Sequence, residues 1–317
     1  MIDGDGKSSD GIWERELVTK LATAALKEQR RARLWGIFFK LLTFGYVTLI
    51  LLMAIDWQGG DMAGAKKYTA MVEVNGIIAP GSDASAEKVN ASLQAAFKDK
   101  NTQGVVVRIN SPGGSPVQAQ TIYDEMKRLR KKYPEIPLYA VVEDVCASGG
   151  YFVAAGADRI YVGKASIVGS IGVLMNGFGF TGLMEKIGVE RRLITAGENK
   201  GMLDPFSPLE EKDQAHIKQM MGDIHQQFIG VVKEGRGKRL KESPEIFSGL
   251  IWTGQRSIDL GLADGFGSLE YVAREVIKAE DIRDYTISEG IAEKFARRFG
   301  ASLSNAFVET LLRSSIR

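Results

Sequence analysis

The stretch Gly104–Pro116, GVVVRINSPGGSP, carries the first decisive signal. Gly104–Ile109 is a continuous β-branched run around one arginine, the pattern of a buried strand in a parallel sheet. It runs into Pro112-Gly113-Gly114, and Ser115-Pro116 then opens a helix. The spacing predicts that helix over Val117–Lys131, with Val117, Ile122, Met126 and Leu129 near one face. Outward from this unit, Tyr68–Val74, Leu138–Val142 and Ile160–Val162 read as strands, and Glu87–Lys98 has helical spacing. A helix begins within Ala147–Ala157. Strands alternating with helices imply βαβ units and a parallel sheet. Further on, Glu190–Ile194 reads as a strand. Ser207-Pro208-Leu209-Glu210 has the form of a capping box with proline at the first helical position. It opens a helix over Ser207–Lys233 whose Ile217, Met220, Met221, Ile224, Phe228 and Val231 share a face.

The 317 residues include 44% hydrophobic and 25% charged side chains, which excludes a wholly disordered chain. With 41 basic against 39 acidic residues, there is no clustered excess for bulk nucleic-acid binding. One cysteine, Cys146, excludes an intramolecular disulfide and a four-thiolate zinc site. The two histidines nearly exclude a multi-histidine metal site, and no cofactor is expected.

Leu34–Ile55, LWGIFFKLLTFGYVTLILLMAI, is 22 residues long with one charge, Lys40. About 20 apolar residues span a bilayer core. Lys27, Arg30, Arg31 and Arg33 precede it, and Asp56 and Asp61 follow. The positive-inside rule puts residues 1–33 in the cytoplasm and the rest on the outer side of an inner membrane. A cleaved signal peptide, with Ala63-Gly64-Ala65 as its small-residue site, and a buried core helix are the other readings. The run is longer than the usual signal core and its polar leader is long. The expected organisation is 1–33 cytoplasmic, 34–55 transmembrane, 56–67 linker, 68–280 soluble domain and 281–317 tail. In the tail, Ile291, Phe295, Phe299, Leu303, Phe307 and Leu311 make an amphipathic helix that packs on its own domain, a second copy or the membrane.

Two glycine turns and a lysine are the chemical candidates. Adjacent glycines at Gly113-Gly114 permit tight backbone geometry and expose amides to a ligand, with a helix N-terminus behind them. In DVCASGGYFVAAGAD, Asp144–Asp158, Ser148 sits at a second strand-to-helix corner. It is placed like a nucleophile on a sharp elbow, or equally like a helix N-cap. His216 and His225 lie nine positions apart on one helix, about 180° around it, so a Ser–His–Asp triad is poorly supported. Lysine is the other general base, provided burial lowers its pKa far below about 10.4. Lys200, in TAGENKGMLDPFSP, is the candidate; a loop lysine is otherwise a surface residue.

The blocks VVVRINSPGG, ASGGYFVAAGADRIYV, GSIGV (Gly169–Val173), AGENKGMLDPFSP and WTGQRSIDLGLADGFG, between Gly104 and Gly267, stand in this order. In that order and spacing, this part of the chain resembles the signal peptide peptidase A family of Ser–Lys proteases, in its short single-copy form. The resemblance implies an α/β fold of the Clp-protease and crotonase type, a spiral of ββα units, here preceded by one transmembrane helix. It implies that Ser148 is the nucleophile, Lys200 the general base and Ser170 the serine that orients it. Gly114 and Gly149 would supply the oxyanion-hole amides. It also implies homo-oligomers, leaving open whether Lys200 serves its own chain or its neighbour. Expected substrates are hydrophobic peptides such as signal peptides, and the membrane lipid is met through one helix. A crotonase-like acyl-CoA enzyme and a non-catalytic membrane scaffold of the same fold are the alternatives.

Overall fold

A computed structural model describes residues 10–54, 66–241 and 243–288. The chain divides into two units, Met1–Gly64 and Ala65–Arg317. The described residues of the first form α1, Asp10–Ala54. Among the described residues no helix is long and apolar enough to cross a membrane. The expected span Leu34–Ile55 ends outside those residues. So do residues 56–65 of the expected linker, and residues 289–317 with the whole predicted amphipathic stripe.

The second unit is built on one eight-stranded sheet. Its first half repeats a βαβ step: β1 Tyr68–Asn75, α2 Ala86–Lys98, β2 Thr102–Ser111, α3 Pro116–Lys132, β3 Leu138–Ala147, α4 Gly149–Ala154 and β4 Arg159–Val162. There follow β5 Ile167–Gly169, α5 Thr181–Lys186, α6 Glu211–Arg236, β6 Ile251–Thr253, α7 Gly254–Asp259, β7 Gly265–Phe266, α8 Leu269–Tyr271 and β8 Ile282–Asp284. The strand order is β6-β5-β3-β2-β1-β8, and β4 branches from β3 to meet β7. All pairings are parallel except β5 with β6. The sheet splits along β3: residues 139–142 pair with β4, and residues 145–147 pair with β5.

Strand alternation supplies two cores. Ala70, Val72, Val74, Val105, Val107 and Ile109 face the side covered by α2, α3 and α4. Met71, Val106, Val141 and Tyr161 face the other side, against Leu269 and Val272. A fully buried valine, leucine or isoleucine contributes about 1.5–3 kcal/mol, so both faces must be covered.

Several elements differ from expectation. β3 extends five residues past Val142, because Val145–Ala147 find partners on β5. Glu190–Ile194 is not a strand: all its residues are exposed and none enters the sheet. α6 starts at Glu211 rather than in a capping box at Ser207, whose hydroxyl donates instead to Asp204 Oδ2 at 2.7 Å. β8 lies past residue 280, where the domain was expected to end, and pairs with β1.

The C-terminal end of α6 is locked by a buried ion pair. Arg236, 1% exposed, meets Asp264 through both terminal nitrogens at 2.8 and 2.9 Å, and its Nε donates to the Gly261 carbonyl at 2.7 Å. Burial works against the Asp264 charge, but the Arg236 hydrogen bonds, the Ile160 amide and Arg239 together hold its carboxyl below the ordinary 3.8. Because this pKa is depressed in the folded state, its stabilising contribution is present above 3.8 and is lost as pH falls through the lower folded value. Asp264→Asn should destabilise the fold by about 3–5 kcal/mol, since it leaves Arg236 buried without its counter-charge. Thermal midpoints at neutral and acid pH check both points. A variant as stable as wild type at neutral pH, or one losing as much stability in acid, would contradict the assignment.

Candidate functional site

Parallel strands deliver their C-terminal ends to one side of the sheet, and the candidate residues gather there. β2 ends at Ser111, whose hydroxyl donates to the Gly76 carbonyl at 2.6 Å and accepts from the Gly113 amide at 3.1 Å. The glycine turn is pinned further by Ile78, whose amide donates to Gly113 O at 2.9 Å and whose carbonyl accepts from Ser115 N at 2.8 Å. Both glycines are required. Gly113 has φ +100°, and a Cβ there would lie 2.6 Å from the Gly149 nitrogen. Gly114 has φ +150°, and a Cβ there would overlap the Ile78 carbonyl oxygen. Ser115 then caps α3, accepting from the Gln118 amide at 3.4 Å.

Next to this turn, β3 ends and Ser148 makes the corner into α4. Its φ of +52° with ψ −123° is a conformation that a non-glycine residue adopts at a cost of about 1–3 kcal/mol. The Ser148 amide is held by the Gly169 carbonyl at 2.8 Å. Its hydroxyl does not cap α4, so the capping alternative fails here. Among the described residues, neither the Gly114 nor the Gly149 amide donates to a backbone carbonyl. The two backbones are adjacent: a Cβ on Gly149 would lie 3.2 Å from Gly114 N.

β5 brings the third element. Just past it, Ser170 has φ +53° and donates its amide to Leu250 O at 2.8 Å. Ser148, Gly149, Gly114 and Ser170 all line one cavity of about 580 Å³. Its apolar wall comes from Ala119, Phe152, Ile224 and Phe228, with Gln120 and Gln227 as polar members. Pro112, Pro116, Gly172, Val173 and Leu174 also line it, with Ser248 and Gly249. In the sequence, Ile224 and Phe228 were legible as a helix face but not as a cavity wall. Nothing local marked Ser248-Gly249.

Lys200 does not line this cavity. It is exposed, on a stretch between Leu174 and Glu210 that has no buried side chain. Many of its hydrophobic residues stand in solvent, among them Phe178 at 84% and Ile194 at 94% exposure. This arm is organised by its own contacts: Phe180 stacks on Phe206 with centroids 5.5 Å apart, and Arg191 bonds Asp204 at 3.3 Å. Of the histidines, His216 is exposed, whereas His225 Nε2 lies 3.2 Å from the Ile171 carbonyl oxygen. Cys146, two residues before Ser148, is fully buried, and burial pushes its thiol pKa up, away from the reactive thiolate. No group of three or more metal-ligating side chains occurs among the described residues.

Comparison with known proteins places this geometry. The model of peptidase family S49 matches residues 130–283, and that of Clp protease matches residues 60–168. The sheet and its glycine turn are therefore Clp-protease-like. The chain is 46% identical over 183 residues to the Na(+)/H(+) antiporter NhaA of Brucella abortus (strain 2308). That match takes in 58% of this chain but spans only 25% of the antiporter's length. It is 30% identical over 237 residues to a protein of Enterococcus faecium named for signal peptide peptidase SppA, covering 72% of this chain and 68% of that one. It is 34% identical over 205 residues to a protein of Synechocystis sp. (strain PCC 6803) named as a protease, covering 65% and 72%. With the last two relatives aligned over 68% and 72% of their own length, and with the S49 match running across Ser148, Ser170 and Lys200, the chain belongs to peptidase family S49, that of the signal peptide peptidase A proteins.

Proposed function

We propose that this protein is a membrane-anchored serine endopeptidase working through a Ser148–Lys200 dyad. The observation that carries the proposal is the meeting in one cavity of Ser148, at positive φ and not engaged in capping, with Gly114 and Gly149, whose amides donate to no backbone carbonyl among the described residues. Ser148 Oγ attacks a peptide carbonyl while the neutral amine of Lys200 takes its proton. The oxygen of the tetrahedral intermediate accepts from the Gly114 and Gly149 amides. The lysinium then protonates the leaving amine, and water attacks the acyl-enzyme with Lys200 again as base. Ser170 orients the lysine.

Lys200 is exposed and does not line the cavity of its own chain, which supports a base delivered to Ser148 by a neighbouring copy. The apolar arm that carries Lys200 is suited to that contact, since docking covers its hydrophobic side chains. On this reading the protein is a homo-oligomer whose sites are completed between subunits. Leu34–Ile55 anchors each chain in a bacterial inner membrane, with residues 1–33 cytoplasmic and the peptidase domain on the outer face. The mostly apolar cavity wall suits hydrophobic peptides, such as signal peptides left in the bilayer after secretion.

A serine-directed phosphonate tests this directly. The expected adduct maps to Ser148 by mass spectrometry and forms far more slowly in Lys200→Ala. Labelling of another serine, or equal rates in the two proteins, would sink the dyad.

A further inference from the structure

We infer that His225 is a positioning residue for the active site, holding from α6 the backbone corner that presents Ser170. The inference rests on the proposed roles of Ser148 and Ser170. His225 Nε2 lies 3.2 Å from the Ile171 carbonyl oxygen. A carbonyl only accepts, so Nε2 bears the proton. Ile171 is fully buried, directly after Ser170 at φ +53°. A non-glycine residue at positive φ persists only where its surroundings over-determine it. On one side this corner is held by Leu250, which accepts the Ser170 amide at 2.8 Å. One residue earlier, Gly169 O receives the Ser148 amide at 2.8 Å. His225 supplies the hold from the helical side. Nucleophile, orienting serine and α6 are thereby joined through a short run of backbone.

α6 is a firm support for this bond. Phe228, one turn beyond His225, packs on Phe152 with ring centroids 5.1 Å apart. Glu234 accepts from the Tyr123 hydroxyl at 3.0 Å, and Arg236 is locked to Asp264. His225 therefore links the helix that walls the cavity to the strand end that carries Ser170. It touches no reacting atom, so its effect passes through Ser170.

The test is a fluorogenic-peptide assay on the solubilised full-length protein. His225→Ala should lower kcat roughly tenfold to a hundredfold, as expected of a misplaced catalytic group, while KM moves less than about twofold. His225→Gln, which keeps an N–H donor on a side chain of similar reach, should recover most of the rate. His225→Leu keeps bulk without a donor, and replaces alanine in the comparison if the alanine variant unfolds. With Ser170→Ala already present, removing His225 should cost no more than about twofold further, because the two residues act as a unit. Wild-type kcat in His225→Ala and His225→Leu would overturn the inference. So would a full loss repeated in the Ser170→Ala background, or a glutamine variant as slow as leucine at an unchanged thermal midpoint. Ser148→Ala, run alongside, separates the two levels: unchanged turnover there sinks the peptidase proposal itself.

Discussion

Alanine at Ser148 should reduce peptide turnover by on the order of 10⁴-fold or more, and alanine at Lys200 should do nearly the same, because in the proposed dyad a nucleophile and its base fail together. The more telling experiment combines them. Ser148 lies in the cavity wall of its own chain, whereas Lys200 stands exposed on an apolar arm outside that cavity. If a site takes its serine from one chain and its lysine from the next, co-expressing the two inactive variants restores some sites. In randomly mixed oligomers at equal dose, a site is competent when the serine-bearing chain falls next to the lysine-bearing one, about half times half, or roughly a quarter of wild-type activity. Mixed particles that stay as dead as their parents would rule out sharing between subunits. Restored activity from Ser148→Ala alone would rule out the nucleophile.

Gly114→Ala is the second large effect. A methyl group there meets the Ile78 carbonyl oxygen, and the backbone at φ +150° resists any side chain. The turn cannot give way easily, because Ile78 binds it on both sides through Gly113 O and Ser115 N. The Gly114 amide should therefore leave its place beside Gly149. Losing one oxyanion donor costs about 2.7–4 kcal/mol, or 10²–10³ in kcat. KM should change much less, since the interaction forms chiefly in the transition state. Gly237→Ala is the control: it has φ +52° but open space around it, at the far end of α6. It should lower the thermal midpoint modestly and leave kcat alone. If Gly114→Ala lost stability with undiminished kcat, the turn would be a structural element only.

The chemistry-bearing turns could be read from the sequence because their causes are local. A β-branched run needs no partner to be recognised as a buried strand, and adjacent glycines announce backbone that other residues avoid. Thus VVVRINSPGG became β2 and its turn, and ASGG became the corner at Ser148, close to the expected positions. The reading faltered where the cause was distant. Glu190–Ile194 has strand-like composition, but it pairs with no strand of the sheet and stays in the exposed arm. Ser207 has the form of a cap, yet Asp204 takes its hydroxyl and the helix begins four residues later.

Residue types and local spacing alone determined the strand–helix alternation, the two glycine turns and the apolar run ahead of them. Tertiary structure decided that Gly114, Ser148 and Ser170 share a cavity, through the pairing of Ser111 with Cys146 and of Ala147 with Gly169. It also decided that Lys200 stands apart from them and that His225 reaches Ile171. The reason is physical: backbone preference acts within a few residues, whereas strand register and helix docking are set by surfaces that meet only when distant parts of the chain are buried together.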